Sequence, residues 1–115
     1  MIKVSFKRDK DSKEISMFVY GHAGQNSLGN DIVCSAASIL AYTVAQTIRY
    51  IESQGGLEKE PCIALDEGDA VITCHPKEEY AGEVLQTYFV AEVGYSLLAH
   101  NFPRFVDLKV FGEAE

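Results

Sequence analysis

Between Tyr20 and Ile32 the chain changes its apolar period, from two residues to between three and four, and it does so through a glycine-rich stretch. Upstream, Ile15, Met17 and Val19 alternate with Ser16, Phe18 and Tyr20, the pattern of a strand with two different faces. Downstream, Val33, Ala37, Leu40, Val44, Ile48 and Ile51 recur at helical spacing, which predicts a helix from about residue 32 to about 53, stopped by Gly55-Gly56. Ala36, Ile39, Ala41, Tyr42 and Ala45 leave few polar positions in its first half, so that half is expected to be buried on more than one face. A strand that feeds a long apolar helix must sit in a sheet on which the helix can pack.

The remaining segments supply that sheet. Ile2, Val4 and Phe6 alternate with Lys3, Ser5 and Lys7, and the polar run 8–13 turns the chain back into the strand ending at Tyr20. Residues 62–65 and 70–74 flank the turn sequence Asp66-Glu67-Gly68-Asp69 and read as a hairpin. Glu78 and Glu79 suit the first turn of a second helix ending near Asn101, and residues 105–111 form a final strand beyond Pro103. The expected architecture is a single two-layer α+β domain over residues 1–115. Two helices pack on a mostly antiparallel or mixed five-stranded sheet, in the order β-β-α-β-β-α-β.

The junction also concentrates the chemistry. His22 follows the strand, and Asp31 stands where a helix N-cap is expected, three places before Cys34. That spacing puts the Cys34 thiol in the first turn, where free backbone N–H groups favour a thiolate and are natural donors to an oxyanion. The glycine-rich loop lets His22 fold back toward Cys34, so the sharp reading is a Cys-His nucleophilic pair. Each residue also has a plainer reading. Cys34 can be a small packed hydrophobe, His22 a strand-end hydrogen-bonding group, and Asp31 a cap, an orienting partner for His22, or both. Ser38, one turn beyond Cys34, can bond within the helix or toward the site. Residues 23–30, with Gly24 and Gly29, read as a loop that a peptide would order.

The Gly21-His22-Ala23 turn, the glycine-rich interval and Gly29-Asn30-Asp31-Ile32-Val33-Cys34-Ser35-Ala36-Ala37-Ser38 resemble the signature of the ribosomal-processing cysteine protease Prp family. Ser35 adds a hydroxyl where that family often has an alanine beside the cysteine. The resemblance implies a cytoplasmic endopeptidase that removes a short N-terminal extension from the twenty-seventh large-subunit ribosomal protein, cutting after an aromatic residue. It assigns the catalytic dyad to His22 and Cys34 and implies a homodimer; beside that dyad, Gly21, Asp31, Ser35 and Ser38 are read as supporting or substrate-binding positions.

Composition narrows the alternatives. A formal charge of -7 without a basic stripe argues against direct nucleic-acid binding and suits a basic protein partner, which agrees with the ribosomal protein precursor that the resemblance implies. There is no N-terminal apolar leader and no apolar run judged long enough to span a bilayer, so a soluble cytoplasmic protein with reduced thiols is expected. Cys34, Cys62 and Cys74 are an odd set without close spacing, and Cys62 and Cys74 lie in strand patterns that predict core positions. His75 precedes a proline and His100 lies near a helix end, neither within a motif. No cofactor or metal is expected. Only Cys74 and His75 are adjacent ligand types, and position 37, where a dithiol motif would need a second cysteine, is Ala37. A phosphatase loop would need an arginine at position 40, which is Leu40, and the glycines lack nucleotide-loop spacing. The remaining alternative is a non-catalytic module that binds a ribosomal protein or takes part in ribosome assembly.

Overall fold

The computed structural model describes residues 1–21, 28–66 and 68–111, with the side chains of residues 28–31 and 111 outside the description. Strands β1 (Ile2–Arg8) and β2 (Ile15–Tyr20) are followed by helix α1 (Leu28–Ser53) and strands β3 (Cys62–Asp66) and β4 (Asp69–Cys74). A single 3-10 turn, Glu78–Tyr80, leads into helix α2 (Ala81–Asn101), and β5 (Val106–Phe111) closes the domain. The sheet order is β3-β4-β2-β1-β5, mixed because β5 runs parallel to β1 while every other neighbour is antiparallel. The element order and the mixed five-stranded sheet are those expected.

Alternation in the strands decides which sheet face carries the helices. Ile2, Val4 and Phe6 of β1, Met17 and Val19 of β2, and Ala70 and Ile72 of β4 are buried, and they meet Val33, Ala37, Ala41, Val44, Ala45, Ile48 and Ile51 from α1. From α2 come Val84, Tyr88, Ala91 and Tyr95. Tyr95 is fully buried and donates its hydroxyl to the Ala37 carbonyl at 2.8 Å, which ties α2 to the α1 turn after Cys34. Gly94 lets the helices approach, since a Cβ there would stand 2.8 Å from Leu40 Cδ2. The Gly55-Gly56 stop forms as expected: Gly55 has φ +78°, and the Gly56 N–H returns to the Ile51 carbonyl at 2.9 Å.

Four expectations need correction. Helix α1 begins at Leu28 rather than near Ile32, one turn ahead of the start that a cap at Asp31 would give. Its first half buries one stripe only: Ile32, Ile39 and Tyr42 are more than half exposed, because a two-layer fold leaves the outer helix face without a covering layer. The segment Ile32–Ser53 is long and apolar enough, by length and composition, to cross a bilayer, a test that the core helix of a two-layer domain also passes. Cys62 is exposed because β3 is an edge strand, whereas Cys74 is buried as expected.

The Cys74 thiol sits 3.7 Å from the Tyr88 hydroxyl, which bonds the Ile72 carbonyl at 2.9 Å. Burial pushes the Cys74 thiol up to about 11 and raises Tyr88 and Tyr95 well above the ordinary phenol range. All three acids are thus harder to ionise folded than unfolded. Their stabilising contribution is complete below about pH 9, where the unfolded thiol still holds its proton, and is lost as pH rises toward and past about 11. Thermal unfolding should show a falling midpoint across that window, and Cys74→Ala should flatten its lower part. A midpoint level from pH 8 to 11 would contradict this.

Candidate active site

The buried stripe of α1 fixes its rotation, and that rotation aims Cys34. Val33 and Ala37 point into the core, and Cys34, about 60° further round the helix than Ala37, is left half-buried at the core's margin. Small side chains at Ala37 and Ala41 leave room beside it. The result is a cleft of about 80 Å³, well above the ~10–15 Å³ that one water needs. One wall is Cys34, Ser38 and Tyr42 from α1. The facing wall is Leu65, Asp66, Gly68, Asp69 and Ala70 from the tip of the β3–β4 hairpin, over a floor of Ile2 and Val19.

Gly21 closes one end, and nothing but glycine suits it. Its φ is +94°, and a Cβ would stand 2.5 Å from the Met1 carbonyl oxygen. Its N–H donates to the Gly68 carbonyl at 2.8 Å, pinning the end of β2 to the hairpin tip. The chain therefore leaves the sheet at the cleft, and the next residue is His22.

The cleft gathers Gly21, Cys34 and Ser38 of the sequence-derived site. Ser35 is exposed and is not among the cleft residues. His22, the rest of segment 22–27 and the Asp31 side chain lie outside the described residues, and so does most of the expected peptide-ordered loop. Leu28, Gly29 and Asn30 of that loop belong to α1.

The early helix start changes the backbone chemistry. Asp31 is the fourth residue of α1 rather than its N-cap, and Cys34 the seventh, in the second turn rather than the first. An N–H so placed is given to the carbonyl four residues back, so Cys34's own N–H is no free oxyanion donor. The free N–H groups of this helix lie one turn earlier.

Tyr42, Leu65, Asp66 and Asp69 are cleft residues that sequence reasoning missed. The two aspartates were legible only as turn residues, and their link to Cys34 needed the strand order. The other histidines stand apart from the cleft. His75 Nε2 lies 4.0 Å from Glu14 Oε2 at the far end of the sheet, and His100 is in the last turn of α2. Among the described residues no cluster of three His, Cys, Asp or Glu side chains could hold a metal ion.

A half-buried thiol thus opens on a cleft between a helix and a hairpin tip. The family model described as cysteine protease Prp matches residues 1–106, so the chain belongs to the cysteine protease Prp family and is a cysteine-type endopeptidase. Solved structures share the fold. SMU.848 from Streptococcus mutans superimposes with a TM-score of 0.69 at 26% identity, covering 98% of this chain and 96% of that one. The essential ribosomal processing protease Prp from S. aureus, in complex with a substrate peptide, gives 0.70 at 17% identity over 96% of this chain and all of that one. The same protease with a covalently linked product peptide gives 0.68 at 19%, with the same coverage. No curated sequence matches the chain.

Proposed function

We propose that this peptidase removes the N-terminal extension of the twenty-seventh large-subunit ribosomal protein in the cytoplasm, with Cys34 as nucleophile and His22 as its acid-base partner. The observation that carries the reading is the placement of the three thiols. Cys74 is sealed in the core and Cys62 lies on the sheet edge, while Cys34 alone of the three lines the cleft. Support for a basic protein substrate comes from Asp66 and Asp69 in the opposite wall and from the chain's formal charge of -7.

In the proposed reaction His22 takes the thiol proton and the Cys34 sulfur adds to the scissile carbonyl. The tetrahedral intermediate collapses as His22 returns that proton to the leaving amine, which departs as the new N-terminus of the ribosomal protein. Water, losing a proton to His22, then cleaves the thioester and frees the leader as a carboxylic acid. If the two residues titrate as a pair, kcat/KM for a peptide spanning the leader junction follows a bell whose limbs belong to the dyad. His22→Ala should slow turnover by about 10²-fold or more and remove the limb that depends on the pair. An unchanged rate and profile would make His22 a bystander.

We infer a homodimer as well. Support comes from the uncovered helix layer, where Ile39, Tyr50, Val90, Val93 and Leu97 are exposed beside a groove of about 650 Å³ between α1 and α2. Sedimentation velocity should give twice the chain mass, and a monomer at micromolar concentration would end this part of the reading.

A further inference from the structure

The hairpin that walls the cleft also has an unguarded edge. β3 is the outermost strand of the sheet, and β5 is the other edge. Edge strands are usually protected by lysine, proline or a bulge. β3 has Pro61 just ahead of it, no lysine, and an unbroken register with β4 from Cys62↔Thr73 to Asp66↔Asp69.

The register tells which backbone groups face outward. The Gly21 N–H bonds the Gly68 carbonyl, and antiparallel bonded pairs alternate, so Ala70, Ile72 and Cys74 turn their main-chain groups toward β2. Asp69, Val71 and Thr73 then turn theirs toward β3, where they meet Asp66, Ala64 and Cys62. Ile63 and Leu65 are left presenting an N–H and a C=O each to the open side. Among the described residues no main-chain bond from outside the sheet reaches them.

This edge is continuous with the site, because Leu65 and Asp66 also line the Cys34 cleft. We propose that the substrate peptide binds as an added strand along β3, paired with the main chain of Ile63 and Leu65, which delivers its scissile bond to Cys34. An extended peptide satisfies all four outward groups, and its register on the edge sets which peptide bond enters the cleft. The main-chain pairing is independent of sequence, so side-chain preference falls to the residues that meet Tyr42, Leu65 and the two aspartates. The proposal rests on the reading of Cys34 as nucleophile.

The test uses a synthetic peptide spanning the leader junction and hydrogen exchange on Cys34→Ala, which holds substrate uncut. The Ile63 and Leu65 amides should exchange at least about 10-fold more slowly with peptide bound, while those of Cys62, Ala64 and Asp66, already bonded to β4, should change little. Leu65→Pro removes an outward N–H and leaves the β4 ladder intact, whereas Leu65→Ala trims the cleft wall but keeps that N–H. KM for the proline variant should exceed that of the alanine variant by about 10-fold or more, with kcat similar between the two. Unprotected Ile63 and Leu65 amides, for whatever reason, or equal KM values in two folded variants, overturn the edge site. Cleavage by the wild-type protein with those amides unprotected rejects the edge and keeps the Cys34 reading. Protection without wild-type cleavage rejects the Cys34 reading and keeps the edge.

Discussion

Cys34→Ala is expected to lower kcat/KM for the leader peptide by at least about 10⁴-fold, because Cys34 is the proposed nucleophile, the one group whose loss no other part of a cysteine site replaces. The fold should survive it. Cys34 is half-buried at the edge of the core, and alanine is the best helix former, so the lost sulfur contacts cost about 1 kcal/mol or less. Circular dichroism and the unfolding midpoint of the variant therefore separate loss of chemistry from loss of structure. Cleavage within 10-fold of wild type would remove Cys34 from the mechanism.

Gly21→Ala should be the most damaging substitution after Cys34→Ala. A side chain at φ +94° costs about 1–3 kcal/mol, and here the Cβ also meets a main-chain carbonyl, Met1 O at 2.5 Å, rather than the loose end of a side chain. That carbonyl cannot move freely, because the adjacent Ile2 N–H is held by the Phe105 carbonyl at 2.7 Å. A midpoint drop of about 10 °C or more is expected, with cleavage falling beyond what the unfolded fraction explains, since Gly21 leads directly into His22. Gly55→Ala is the control. It has φ +78° but no atom within 4 Å of a Cβ, so it carries the conformational cost alone. Equal midpoints for the two variants would show that the Met1 contact does not matter.

Much of this fold is legible in local pattern. The period-two runs of β1, β2 and β4, the long apolar repeat of α1 and the Gly55-Gly56 stop each follow from residues close in sequence. What depends on distant partners is not legible. Cys62 reads like Cys74 within a strand, yet it is exposed because its strand is outermost, a property of the strand order. The start of α1 is not legible either, because Asp31 is as good an N-cap as any residue nearby, and local capping preference does not settle which turn a helix begins on. Motif and spacing place Cys34 near the start of α1, but not in its first turn: it lies in the second, one turn away from the free N–H groups expected to favour its thiolate. Asp66 and Asp69 show the same limit from the other side. Turn chemistry explains them fully until Gly21 and Gly68 bring the hairpin tip against α1.

Cys34 is proposed to cut the ribosomal protein's leader through a thioester, and intact-mass measurement of both proteins during incubation reads the cut and the intermediate together. The ribosomal protein from the same organism should shorten by the mass of its N-terminal extension. Acid-quenched early samples should show the peptidase heavier by the leader acyl group, lost under hydroxylamine and mapped to Cys34. A ribosomal protein of unchanged mass after prolonged incubation with folded wild-type peptidase, or a shortened one produced equally by Cys34→Ala, would overturn the proposed reaction.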